Sequence, residues 1–283
     1  MNGDLRHQPK PLIVNLAPTG MVPTRRMSPF VPLTPEEIVD DVAACAGIGI
    51  TIAHVHARDA EGNPTPDPRV YAEIIGSLRR RLPDLLICAS CSGRGGIGLD
   101  DRAAVLDLPG DQRPDMASLT LSSLNFAATA SVNDPDTVVA LAGRMRDRGI
   151  VPELEVFDLG MANMVGVLAA RGLIRPPFLV NVLVGNVATA QARLLEIAAV
   201  LAALPDGAIV TLAGLGSAQL PVAAIAAASA DGVRIGLEDN LWLDHARESP
   251  ARNGDLVARV GAIAEALGRP VMTPAALRAL LGL

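Results

Sequence analysis

Lysine is almost absent from this chain of 283 residues, because all but one of its 24 basic residues are arginine. The exception, Lys10, lies in a polar N-terminal tail that we predict over residues 1–11. Schiff-base catalysis needs a lysine in a desolvated pocket. The composition therefore argues against a lysine-dependent aldolase.

Aromatic residues make up only 2% of the chain, and the formal net charge is −6. A nucleic-acid partner usually requires a basic face or stacking aromatic side chains, so this composition does not favour one. The three cysteines, Cys45, Cys88 and Cys91, form no disulfide framework, which fits a reducing cytosol. No run of ~18 apolar residues predicts a membrane span, and the first residues lack a signal-peptide pattern. We expect a cytoplasmic protein that binds neither membranes nor nucleic acid.

Short apolar runs alternate with Ala/Leu/Arg-rich helical stretches along the whole chain. Strands are predicted at 12–17, 51–57, 85–91, 116–121, 152–157, 178–184, 208–214 and 232–238. Helices are predicted near 35–46, 67–81, 100–107, 135–147, 161–171, 189–203, 218–229 and 253–267. Eight such units in about 250 residues predict an α/β fold of the (β/α)8 TIM-barrel type, in a single domain over 1–283. An open doubly wound sheet is the alternative. An extra C-terminal helix, 273–282, is expected on the outside or against a partner subunit.

The second predicted strand ends in His54 and His56, which share one face because side chains alternate along a strand. The eighth ends in Glu238, and in a closed barrel both strands flank the first. Two histidines and one carboxylate leave a catalytic zinc with an open coordination position. The alternative is a pair of hydrogen-bonded core histidines.

Further polar residues follow other predicted strands. Asp239 adjoins Glu238. Arg234 shares the strand parity of Glu238 and could orient or charge-pair Asp239. The stretch 93–98 fits G-x-G-x-x-G, but it follows the third strand rather than the first, so a loop that binds an anion or a carbonyl is favoured over a dinucleotide site. Cys91 lacks a histidine partner for nucleophilic catalysis. Other inward-facing polar candidates are Asn15, Thr120, Glu153, Glu155 and Asn181.

Together these motifs resemble the β-keto acid cleavage enzymes (3-keto-5-aminohexanoate cleavage enzyme-like), a zinc-dependent (β/α)8 family. The resemblance extends from about Leu12 to Pro274. Its most specific parts are HVHARD at 54–59, PELEV at 152–156, GLG at 214–216 and RIGLEDN at 234–240. The combination of H-x-H with the G-x-E-D-N ending is far more specific than either motif alone.

The resemblance implies that a β-keto acid and acetyl-CoA exchange acyl groups to give acetoacetate and a new acyl-CoA. By position, His54, His56 and Glu238 would bind Zn²⁺, and Asp239 would be the general base. Further site residues that it implies are Ser90 and Arg234, which hold that base, the strand-5 acid Glu153, and the substrate-binding positions Ser92, Gly93, Ser118 and Thr120. It also implies that the protein is a homo-oligomer, namely a tetramer.

The chain departs from the family pattern at Val22, where members that take amino-substituted substrates carry an acid. We therefore expect poor activity on cationic substrates and activity on neutral acyl chains. Dicarboxylic substrates should also fit if Arg25 or Arg26 turns inward; the alternative is that both arginines point to solvent. Two other functions stay open: a metal-dependent hydrolase or retro-aldol lyase on the same barrel, and a catalytically inactive ligand-binding barrel.

Overall fold

The computed structural model describes residues 10–283, so most of the predicted tail and His7 lie outside the described residues. Eight parallel strands close a barrel in the order β1-β10-β9-β8-β7-β4-β3-β2, which confirms the predicted fold class. β1 pairs with both β2 and β10, so the alternative of an open sheet is wrong. The barrel strands are β1 (Ile13–Leu16), β2 (Ile52–Val55), β3 (Leu86–Ala89), β4 (Met116–Thr120), β7 (Val151–Val156), β8 (Phe178–Val184), β9 (Ala208–Gly214) and β10 (Gly232–Ile235).

Helices alternate with these strands on the outside of the barrel, and a final helix covers its N-terminal end. They are α1 (Pro35–Ile48), α2 (Pro68–Arg81), α3 (Leu99–Ala103), α4 (Pro135–Arg148), α5 (Leu159–Ala170), α6 (Leu194–Ala203), α7 (Gln219–Ser229), α8 (Asn253–Ala266) and α9 (Pro274–Leu281). A hairpin that sequence periodicity did not predict, β5 (Leu124–Asn125) and β6 (Ala130–Ser131), follows β4. None of the helices within 10–283 combines the length and apolarity needed to cross a membrane.

Helix α1 begins where its sequence predicts, at Thr34-Pro35. The Thr34 hydroxyl accepts a hydrogen bond from the Glu37 amide at 3.2 Å, and the Glu37 carboxylate accepts one from the Thr34 amide at 3.2 Å. This reciprocal pair satisfies two helix-terminal N–H groups. At α4, the Asp134 carboxylate likewise accepts from the Thr137 amide at 2.9 Å. These local signals set the helix starts without help from the barrel.

The barrel interior changes character along its axis. At the N-terminal end, inward side chains form an apolar layer, closed by Leu277 of α9, with all of them at most 1% exposed: Ile13, Ile52, Leu86, Met116, Leu179 and Leu277. Arg278 fixes α9 there, donating to the Asp115 carboxylate at 2.8 Å and the Leu85 carbonyl at 3.1 Å. The expectation for this helix is thus corrected: it covers the bottom of the barrel, because Leu277 fills the opening that the ring of strands leaves.

Candidate active site

Three potential metal ligands converge above the polar part of the barrel interior. The Nε2 atoms of His54 and His56 are 3.2 Å apart, and His56 Nε2 lies 3.2 Å from Glu238 Oε1. Glycine allows this close approach at two points: a Cβ on Gly20 would collide with the Glu238 side chain, and one on Gly236 with the Ala17 carbonyl. The strand ends therefore bring together the three residues that the sequence predicted as ligands.

A buried carboxylate supports this cluster from below. Glu153, on β7, is 2.6 Å from His54 Nδ1 and accepts a 2.5 Å hydrogen bond from the Asn15 amide group. Burial alone would raise the pKa of Glu153, but the charge and hydrogen bond of His54 outweigh it and lower the pKa to about 2. An ionised Glu153 favours a proton on His54 Nδ1, the tautomer in which Nε2 can bind a metal, as in carboxylate–histidine–metal arrangements. Burial lowers the pKa of His54, but the charge of Glu153 outweighs this effect and raises it.

The cluster has the properties of a zinc site. Among the described residues, His56 Nδ1 and Glu238 Oε2 are buried without a hydrogen-bond partner. Glu238 Oε2 belongs to the carboxylate that faces the two Nε2 atoms, so a cation held there would satisfy this buried acceptor, whereas His56 Nδ1 lies on the opposite side of its ring. Two imidazoles and one carboxylate are the donors of many catalytic zinc sites, with room for a further ligand. The donor set thus fits zinc.

Arg234 and Asp239 form a buried pair beside the cluster. The guanidinium donates to Asp239 at 2.9 and 3.1 Å and contacts Glu238 at 2.8 Å, and it is 2% exposed. Burial raises the pKa of Asp239 despite the opposing charge of Arg234. Burial would also raise the pKa of Glu238, but the charges of Arg234 and His56 hold it well below its usual range. The predicted pairing of Arg234 with Asp239 is present.

These groups form the floor of a cavity of about 700 Å³ at the C-terminal end of the strands. Active sites of such barrels lie at this end. A second cleft of about 550 Å³ lies elsewhere, beside the exposed Lys10, and none of the three candidate metal ligands lines it. The only lysine of the chain is therefore remote from the candidate site.

Most, but not all, of the other predicted site residues line this cavity. Ser90, Ser92, Thr120 and Val22 do. Ser90 does not hold Asp239 by a hydrogen bond; its hydroxyl accepts from the Ser92 amide at 3.3 Å.

Three predicted site residues lie behind the cavity wall instead of lining it. The Ser118 hydroxyl accepts from the Cys91 amide at 3.1 Å, and Gly93 packs against the Arg102 guanidinium. Glu153 is 0% exposed beneath His54 and does not line the cavity. Parity along a strand predicts the side of the sheet but not the depth in the barrel, which explains the difference.

The structure also shows where three further arginines lie, and for Arg25 and Arg26 it supports the alternative that both point to solvent. Arg25 does not turn inward, because it pairs with Glu37 at 2.6 Å on the exposed surface, and Arg26 is exposed as well. Arg58, in the H-V-H-A-R-D motif, is 2% exposed and donates to the carbonyls of Gly20 and Pro23. It therefore holds the loop after β1 over the cavity.

Sequence reasoning missed several residues of the site. Arg94 and Phe126 line the cavity wall, with the Arg94 guanidinium 3.5 Å from the centre of the Phe126 ring, and Arg247 lies at the mouth. Asn253 is fully buried and joins the ends of β1 and β10, donating to the Pro18 carbonyl at 3.1 Å and accepting from the Leu237 amide at 2.8 Å. Arg94 carried a signal, as the sole charged residue in the glycine-rich stretch; the others carried none.

Comparison with known proteins identifies the family. Residues 11–283 match the beta-keto acid cleavage enzymes. The chain belongs to this family. A 3-oxoadipate:acetyl-CoA acetyltransferase of Cupriavidus necator is 36% identical over 277 residues, covering 97% of this chain and 95% of that protein. A 3-keto-5-aminohexanoate cleavage enzyme of Fusobacterium nucleatum is 33% identical over 273 residues, covering 96% and 98%.

Solved structures agree on the fold of this family member. The apo structure of ObcA superposes with a TM-score of 0.81 over 90% of this chain and 66% of that chain, at 22% sequence identity. This level of identity supports the barrel architecture alone.

Proposed function

We propose that this family member is a zinc-dependent acyltransferase that converts a β-keto acid and acetyl-CoA into acetoacetate and a new acyl-CoA. The bond between C2 and C3 of the β-keto acid breaks, C2 bonds to the acetyl carbon, and the CoA sulfur passes from the acetyl group to the released acyl group. The convergence of His54, His56 and Glu238 beside the Arg234–Asp239 pair carries this proposal.

The three converging side chains would hold the zinc ion, with Glu153 keeping His54 oriented. When bound, zinc supplies Lewis-acid polarisation of the substrate ketone. Polarisation replaces the iminium chemistry of a lysine enzyme, which this chain cannot perform with its remote Lys10.

Asp239 is the proposed general base. The most acidic C–H of a β-keto acid is at C2, between the carboxylate and the ketone, and Asp239, which lines the cavity floor, would take this proton. The same carboxyl group returns the proton to C2 when the C2–C3 bond breaks, so the proton count balances. Arg234 is a positioning residue: its two hydrogen bonds hold the Asp239 carboxylate in one orientation.

Isotope labelling tests this reaction directly. We would incubate the purified protein with acetyl-CoA labelled with ¹³C in both acetyl carbons and a panel of β-keto acids. The expected products are acetoacetate labelled at C3 and C4 and an unlabelled new acyl-CoA. Turnover of the β-keto acid without CoA would instead support a metal-dependent hydrolase or retro-aldol lyase, and no turnover of any substrate would support a ligand-binding barrel.

We also propose a cytoplasmic homo-oligomer in which the whole barrel acts as one domain. The three cysteines are free thiols, as expected in a reducing compartment. Exposed apolar side chains at α5, α6 and the preceding loop support an interface between copies: Leu159, Val187, Leu194 and Leu195. Light scattering coupled to size-exclusion chromatography measures the molar mass in solution, and the mass of a monomer would contradict this proposal.

A further inference from the structure

One wall of the cavity is built by the hairpin after β4 and by the glycine-rich loop after β3. We call it the hairpin wall, and it consists of Arg94, Leu124, Phe126, Ala127, Ala128, Thr129 and Ser131. Arg94 forms an antiparallel bridge with Ser131, so the loop that carries it is attached to the hairpin. The wall is apolar apart from Thr129, Ser131 and the Arg94 guanidinium.

The Arg94 cation has no anionic partner. Within residues 10–283, no carboxylate lies close enough to form an ion pair with it, and its guanidinium takes part in no hydrogen bond; its backbone amide donates to the Ser92 hydroxyl. Its guanidinium rests on the face of Phe126. Because the N–H groups of a guanidinium lie in its own plane, contact through the ring face leaves them free to bind a planar anion with two parallel hydrogen bonds.

The carboxylates that line the cavity all lie close to Arg234. Three line it, Glu155, Glu238 and Asp239, and Arg234 lies within 3.8, 2.8 and 2.9 Å of them respectively. The hairpin wall contributes no carboxylate, and Val22 at the mouth is uncharged. A cationic substrate tail would therefore find no free counter-ion, whereas an anionic tail would find one.

We infer that Arg94 recognises a second carboxylate, at the far end of the substrate, and that the β-keto acids cleaved by this protein are dicarboxylic. This inference rests on the proposed function, in which the reacting ketone and first carboxylate lie over the His54–His56–Glu238 cluster. Arg25 and Arg26 are the candidates for this role in the sequence, but both face solvent, whereas Arg94 faces the cavity.

Kinetics on three substrates of matched length test the inference: a β-keto acid with a terminal carboxylate, its methyl ester and an amino-terminated analogue. We expect kcat/KM for the dicarboxylic acid to exceed that for the ester by about 10- to 100-fold, as for a charge-assisted hydrogen-bonded pair. Arg94→Gln should reduce this ratio to near one, and Arg94→Lys should restore part of it. Arg171→Gln, which changes an exposed arginine, is the matched control.

Several results would overturn the inference. One is a wild-type protein that prefers the ester or the amine. Another is loss of the preference in Arg247→Gln but not in Arg94→Gln, which would assign the recognition to the cation at the mouth. A third is an equal loss with all substrates and a raised KM for acetyl-CoA in Arg94→Gln, which would assign Arg94 to the CoA phosphates.

Calorimetry with unreactive probes separates this inference from the proposed reaction. Adipate carries two carboxylates and no ketone, and hexanoate carries one carboxylate on a chain of the same length. We expect adipate to bind the zinc-loaded wild type at least about fivefold more tightly than hexanoate, and Arg94→Gln to remove the difference. Adipate binding through Arg94 without any turnover would reject the reaction and retain the site. Turnover without discrimination between the probes or substrates would reject the site and retain the reaction.

Discussion

The two ends of the barrel interior are built from the same strands but have opposite chemistry. In the lower layer, Ile13 and Ile52 pack with Leu277 in a closed apolar cluster. Two residues further along the same two strands, Asn15 and His54 belong to a buried polar network. Successive inward positions on a strand are two residues apart, so this change occurs within a single layer of side chains.

The difference teaches how this barrel separates stability from chemistry. The lower layer excludes water and gains free energy from apolar burial. The upper layer holds buried charges, each paired, as with Arg234 and Asp239, at little or no net gain in stability. Substitutions in the lower layer should therefore lower the free energy of unfolding, and substitutions in the upper layer should lower turnover.

The largest effect is expected for His54→Ala. Loss of one of three ligands should take the metal content from about one zinc per chain to near none, and turnover should fall by ~10³-fold or more because Lewis-acid stabilisation is worth several kcal/mol. Elemental analysis and the acetoacetate assay measure the two effects. His245→Ala, which changes an exposed histidine outside the cavity, is the control. Full activity of the wild type after exhaustive chelation would contradict the zinc mechanism.

Asp239→Asn should keep the metal and lower kcat by about 10²–10⁴-fold, the usual contribution of a general base. The amide preserves shape and one acceptor for Arg234 but cannot take a proton. Zinc content and kcat should be measured together, with the exposed Asp206→Asn as the control. Wild-type turnover in Asp239→Asn would reassign the base, and Glu155 on the cavity floor would be the next candidate.

Leu277→Ala should lower stability and leave turnover nearly unchanged, the reverse of the two substitutions above. Removal of this fully buried side chain leaves a cavity under the barrel, and the free energy of unfolding should fall by about 2–5 kcal/mol. Activity below the unfolding transition should stay within about twofold, since the lower layer does not line the active cavity. Leu280→Ala, in the same helix but 51% exposed, is the control for urea denaturation. A large loss of kcat without a loss of stability would break the proposed separation of the two ends.

The smallest effect is expected at the rim of the upper end. Val22 is 52% exposed at the cavity mouth, and Val22→Glu should improve kcat/KM for amino-substituted β-keto acids by about 3- to 10-fold, in line with a partly exposed ion pair. Dicarboxylic substrates should lose activity. Val132→Glu places the same charge on a similarly exposed valine that does not line the cavity. It should leave kcat/KM for both the amino-substituted and the dicarboxylic substrates unchanged.

Much of this organisation follows from local patterns. Alternation along β2 placed His54 inward, and the strand count predicted that β2 and β10 would flank β1. Local patterns failed where a residue's depth or a long-range contact decides its role. Glu153 and Glu155 share parity on β7, yet the first lies buried beneath His54 and the second lines the cavity. The hairpin was missed because each of its strands has only two residues, too few for periodicity to register.

Periodicity was sufficient to predict the barrel and the metal-ligand candidates, because burial imposes a repeat of two on strands and 3.6 on helices. Composition alone argued against a lysine-dependent mechanism. Closure of the ring decided which side chains meet. It brought Glu238 to the histidines, brought Arg94 over Phe126 and placed Leu277 under the strands. Such contacts join residues far apart in the chain, and their distances depend on the packing of the whole ring, which no local pattern encodes.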